Sequence, residues 1–146
     1  MRNMAFKQFG KVLISYYNDR PPTEADHGVC VRAIRALDLK QVRFLTFTRG
    51  GAPSPAQRKD LNALLDGREV LTAIISDALM MRGIVTALSW FNPRVRVYKM
   101  EEAEDAMEYL EVPATSFGRC WDEVRLLEAE LESFKRDNHT TSSRAR

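Results

Sequence analysis

At 146 residues, with 45% apolar and 29% charged composition, the chain has room for one globular domain with a real core and none for a second. Its 22 basic and 20 acidic residues leave a formal charge of +2, too balanced to point to nucleic acid as a partner. The opening segment, MRNMAFKQFG, lacks the continuous apolar core of a secretory signal, and no apolar run reaches the roughly 18 residues of a membrane span, so a cytoplasmic protein with no membrane span is expected.

Residues 5–9 and 11–17 read as two strands around Gly10, the second carrying the β-prone run Val12-Leu13-Ile14, which predicts a hairpin. Asn18 to Pro22 breaks the chain, and Thr23 caps a helix that runs to about Leu39, with Val29, Ala33, Ile34 and Leu37 inward. His27 falls in its first turn and is expected to be solvated. Residues 42–48 form the next strand, followed by the loop Arg49-Gly50-Gly51-Ala52-Pro53. Ser54-Pro55-Ala56-Gln57 has the form of a capping box and starts a helix that ends near Leu65, stopped by Asp66-Gly67.

Residues 70–75 are nearly all apolar, as expected of an interior strand covered on both faces. The segment 78–91 that follows is apolar almost all round and predicts a helix buried on more than one side. Asn92-Pro93 ends it, residues 94–99 alternate as a half-exposed strand, and residues 101–110 form a short acidic helix with Ala103, Ala106, Met107 and Leu110 inward. The fold class is therefore α/β: a mixed sheet of about five strands in the order ββαβαβαβα, covered by helices.

The order of elements, the buried strand Val70-Leu71-Thr72-Ala73-Ile74-Ile75 leading to Ser76-Asp77 and a helix, the strand Arg94-Val95-Arg96-Val97-Tyr98, and the closing helix Glu101-Glu102-Ala103-Glu104-Asp105-Ala106-Met107-Glu108-Tyr109-Leu110 together resemble the STAS-like family (SpoIIAA-like, STAS/SEC14-like). The resemblance covers roughly residues 5–112, assigned here as a domain over 1–112. It implies a non-catalytic regulatory fold for protein partner-switching, or, on the SEC14-like side, a carrier of an apolar ligand. Phosphoregulated members carry a serine or threonine in a D-S-S-G-like turn. The nearest place here is Thr48, Gly50 and Gly51 leading to Ser54, and the aspartate and serine pair of that turn are missing.

Ser54, with Arg49 and Arg58 flanking the loop, is thus a candidate for phosphate or anion binding at a helix N-terminus, set against the plain reading of an N-cap serine among solvated arginines. Met80, Met81, Ile84, Trp90 and Phe91 form a candidate surface for an apolar ligand or an interface, set against core packing. From Pro113 onward Phe117, Cys120, Val124, Leu127, Leu131 and Phe134 recur at spacings of three and four, widened by Trp121, which predicts an amphipathic helix over 113–137. Its stripe either pairs with a second chain or folds back over its own domain. The polar segment 138–146 is expected to be disordered.

No catalytic constellation is legible. Cys30 and Cys120 lack metal-ligand or redox spacing, the acidic residues of 101–111 fit a solvated face, and a lone His27 has no nucleophile near it in sequence, so no metal and no cofactor are expected. The expected function is a regulatory or protein-interaction module that forms a homodimer and engages a protein partner. The alternative is a carrier holding an apolar small molecule between the sheet and helix 78–91.

Overall fold

The computed structural model describes residues 2–78 and 92–144, with 134–144 as backbone alone. Strands β1 (Met4–Phe9) and β2 (Val12–Tyr17) pair antiparallel, and Phe9 faces Val12 across the two-residue loop that Gly10 opens with φ +56°. Strands β3 (Arg43–Thr48), β4 (Thr72–Ile75) and β5 (Val95–Tyr98) then add one after another in parallel, giving a five-stranded mixed sheet in the order β1-β2-β3-β4-β5. The expected hairpin and parallel pairing are thus present, with β3 at the centre.

Helix α1 (Glu24–Arg35) starts at Thr23, whose hydroxyl accepts from Asp26 N while the Asp26 carboxylate accepts from Thr23 N. It stops before the predicted end near Leu39, because the backbone turns at Asp38, whose carbonyl accepts from Val42 N. Its buried face is Asp26, His27, Cys30 and Ile34, which leaves Val29 47% exposed rather than in the core. Helix α2 (Pro55–Leu65) carries the expected box: Ser54 Oγ accepts from Gln57 N at 3.2 Å and Gln57 Oε1 from Ser54 N at 2.9 Å. Asp66 ends it in the left-handed region (φ +49°) and Gly67 follows at φ +76°.

A 3₁₀ turn at Met100–Glu102 leads into helix α3 (Ala103–Tyr109), with Ala106, Met107 and Leu110 buried as expected. A second 3₁₀ turn, Ala114–Ser116, leads into helix α4 (Phe117–Arg144). Helical backbone therefore continues through 138–144, where a disordered tail was expected. Segment 79–91, with the predicted helix, lies outside the described residues.

Alternation along the strands sends two residue sets to opposite faces. On one face Ala5, Val12, Ile14, Tyr16, Leu45, Phe47, Ala73 and Ile75 pack against α3 and α4. On the other, Met4, Leu13 and Tyr17 pack against Cys30 and Ile34 of α1, with Phe44 and with Leu61, Leu64 and Leu65 of α2 at the margin. The result is a helix-sheet-helix sandwich. Adjacent parallel strands joined in sequence put their crossover helices α1 and α2 on one side, so the second layer has to come from the C-terminal segment.

That layer is α4. Cys120, Val124, Leu127 and Leu131, spaced four, three and four apart, are buried against β1 and β2, with Phe117 and Trp121 half-buried beside them. Trp121 meets Phe47 edge-on at 5.9 Å, and Phe47 stacks on Tyr16 at 5.4 Å. Ion pairs flank the seam: Arg2–Glu130 at 2.7 Å, Lys7–Glu123 at 2.7 Å and Arg49–Glu128 at 2.9 Å. From Phe117 to Leu131 the apolar stripe is thus covered within its own chain and does not stand apart from the domain.

Candidate functional site

The two sheet faces differ in chemistry. The face under α4 carries only apolar side chains and Tyr16 among its buried strand residues, whereas the face under α1 and α2 places Ser15, Thr46, Thr48 and Thr72 among Leu13, Tyr17, Phe44 and Ile74. Register aligns them: Ser15 lies beside Thr46, which lies beside Ile74, and Phe44 lies beside Thr72.

Between this face and the two helices lies a cavity of about 160 Å³. Leu13, Phe44, Ile74 and Val95 line it from the sheet, Cys30 and Ile34 from α1, and Leu61 and Leu65 from α2. Phe44 and Thr46, on the central strand, stay only half-buried, so α2 does not close down on β3. The cause is legible in α2, where Gln57 is the only buried residue and Leu61, Leu64 and Leu65 are half-covered. The helix is held largely by polar contacts at its first turns: Gln57 Nε2 donates to Pro22 O at 3.0 Å, and Asp60 Oδ2 lies 3.0 Å from His27 Nε2.

The polar groups of the cavity divide into satisfied and open. Thr72 Oγ1 donates to Val70 O at 2.9 Å, and Thr48 Oγ1 donates to Gly51 O while accepting from Gly50 N. Asn92 Nδ2 donates to Val70 O and its Oδ1 accepts from Arg94 N. Among the described residues, Ser15, Thr46 and Asn62 have no side-chain hydrogen bond, and Ser15 is 7% exposed. None of these three groups is sealed off without a partner, so each stays open to hydrogen bonding from a molecule in the cavity. Cys30 adds an apolar wall, because burial pushes its thiol up to about 11 and keeps it protonated at neutral pH.

The loop after β3 closes one end. Gly51 N donates to Asn18 O at 2.8 Å, and a Cβ at Gly51 would lie 2.2 Å from Arg20 O, so only glycine fits this approach of two backbones. Thr48, Gly50 and Gly51 thus act on one another, and Ser54 Oγ is engaged as the cap of α2. Arg49 leaves this loop altogether: it lies over Phe47 and bonds Glu128 of α4, and the Glu128 carboxylate, with Tyr16, raises its affinity for its proton. Arg58 stays, lining the cavity with Nη1 donating to Pro53 O at 2.8 Å.

His27 corrects its expectation: it is buried and faces Asp60, and neither residue lines the cavity. Met80, Met81, Ile84, Trp90 and Phe91 lie outside the described residues, as does the side chain of Phe134. Arg58 was legible as a cation beside the loop, whereas Ser15, Thr46 and Asn62 escaped sequence reading because each looks ordinary in its own element. The alternation of β2 and β3 placed Ser15 and Thr46 on one face, and their polarity on interior strands was the available signal.

Among the described residues no cluster of His, Cys, Asp and Glu converges as metal ligands, and no helix is long and apolar enough to cross a membrane. No family model, curated protein or solved structure matches the chain.

Proposed function

We propose that the chain is a non-catalytic, STAS-like binding module that holds a small, largely apolar molecule between its sheet and helices α1 and α2. The observation that carries this reading is the pair of hydroxyls, Ser15 and Thr46, on adjacent interior strands, open to an apolar cavity and without protein partners among the described residues. The cavity is of the size that accepts a benzene-like molecule, for which about 150 Å³ suffices. A non-catalytic role fits a neutral Cys30 and a His27 occupied by Asp60 away from the cavity.

Self-association through Cys120, Val124, Leu127 and Leu131 would require α4 to leave the sheet, so the ligand reading is favoured over a dimer built on that seam. Titration of the ¹⁵N-labelled protein with benzyl alcohol tests it. Shifts centred on the amides of Ser15, Thr46, Asn62 and Ile74, and abolished by the cavity-filling Thr46→Phe in a folded protein, are expected; shifts confined to other surfaces or absent at saturation refute it.

A further inference from the structure

We infer that the ligand is a small apolar monocarboxylate whose acid group is met by Arg58, an inference that rests on the cavity reading above. The cavity is graded along the strands. At the N-terminal ends of β2 and β3 the lining is Leu13, Phe44, Leu61 and Leu65 with the internally bonded Thr72 and Asn92, and toward their C-terminal ends it is Tyr17 and Ile74 with the open Ser15 and Thr46, the loop Gly51-Ala52-Pro53 and Arg58. Helix α2 runs the other way across the sheet, so its first turn, with Arg58, lies over the polar end.

Arg58 has no carboxylate partner among the described residues, unlike Arg2, Arg43 and Arg49, each of which is paired. Its bond to Pro53 O uses one donor of the five in a guanidinium and fixes the plane of the group. Arg58 lines the cavity, and a guanidinium without a carboxylate partner favours an anion, with a planar fork that fits a carboxylate. The start of α2 adds the positive end of its dipole in the same place. Ser15 and Thr46, in the floor, donate to whichever oxygen the arginine leaves open. A volume of about 160 Å³ limits the apolar body to roughly one six-membered ring or its aliphatic equivalent.

The test compares benzoate with benzamide, a neutral molecule of the same shape, by calorimetry and by amide shifts on wild type and Arg58→Gln. Expected are binding of both probes at the cavity, benzoate at least tenfold tighter than benzamide, and a gap that collapses in Arg58→Gln while benzamide affinity stays within threefold. Retained benzamide binding also shows that the variant keeps its cavity. Equal affinities in wild type, or a gap that survives Arg58→Gln, overturn the carboxylate inference and leave the cavity reading standing. Binding of neither probe at the cavity overturns both.

Discussion

Leu126 and Leu127 are neighbours in sequence on α4, and the fold treats them oppositely: Leu126 is 59% exposed and Leu127 is 4% exposed. Leu127 belongs to the cluster that includes Val12, Ile14, Tyr16, Leu45 and Phe47 under the helix. Replacing it with alanine removes buried methyl groups over a sheet that cannot rise to fill the void, while ion pairs at Glu123, Glu128 and Glu130 hold the helix in place. Such truncations cost about 2–5 kcal/mol, a large share of the roughly 5–15 kcal/mol of a typical domain. At about 3 kcal/mol, and about 2–4 °C per kcal/mol for a chain of this length, the midpoint falls by roughly 10 °C. Leu126→Ala stays within about 0.5 kcal/mol of wild type. Urea unfolding followed by tryptophan fluorescence, repeated over a hundredfold range of protein concentration, reads both the cost and its origin. Docking within one chain gives a midpoint independent of concentration. A midpoint that climbs with concentration, or equal effects from the two leucines, refutes the intramolecular seam.

Gly51→Ala forces a Cβ to within 2.2 Å of Arg20 O and 2.6 Å of Asn18 O, so a loss of more than about 2 kcal/mol is expected in urea unfolding, against no loss for Gly118→Ala, where nothing lies within 4 Å. The thiols of Cys30 and Cys120, both pushed up to about 11 by burial, should react with iodoacetamide at pH 8 more than about a hundredfold slower than a free cysteine, and at ordinary rates once unfolded. Because the folded protein keeps these thiols protonated while the unfolded chain ionises them near pH 8.5, their contribution to stability is complete below that pH. It is lost as pH rises toward about 11, a decline that Cys30→Ala with Cys120→Ala reduces in thermal scans between pH 8.5 and 10. His27→Phe removes the contact with Asp60 that joins α1 to α2. Hydrogen exchange in 55–65 should accelerate in that variant while exchange in α4 is unchanged.

Much of the local structure is written in short stretches of sequence. Thr23 with Asp26 and Ser54 with Gln57 bring their own capping partners, Gly10 supplies the hairpin loop, and Asp66-Gly67 ends α2, because each depends on residues within a few positions. The stripe of Cys120, Val124, Leu127 and Leu131 is equally legible, since helical periodicity shows that these residues share a face. What that face meets is a different question. Strands added in sequence gather α1 and α2 on one side and expose Ile14, Leu45 and Phe47 on the other, and only the assembled sheet shows that α4 must cover them. His27 and Val29 exchanged their expected places for the same reason: periodicity gives a face, and packing against α2 and β1 decides which face is turned inward.

The cavity is the part least accessible to sequence. Ser15, Thr46 and Asn62 come from three elements, and none departs from its local pattern enough to mark a site. The sequence by itself determined the five strands, the caps of α1 and α2 and the apolar stripe of α4, all set by neighbours along the chain. Tertiary structure decided that α4 closes one side of the sheet with apolar contacts while α2 stands off the other with polar ones, because only packing between distant segments creates a cavity and selects what lines it.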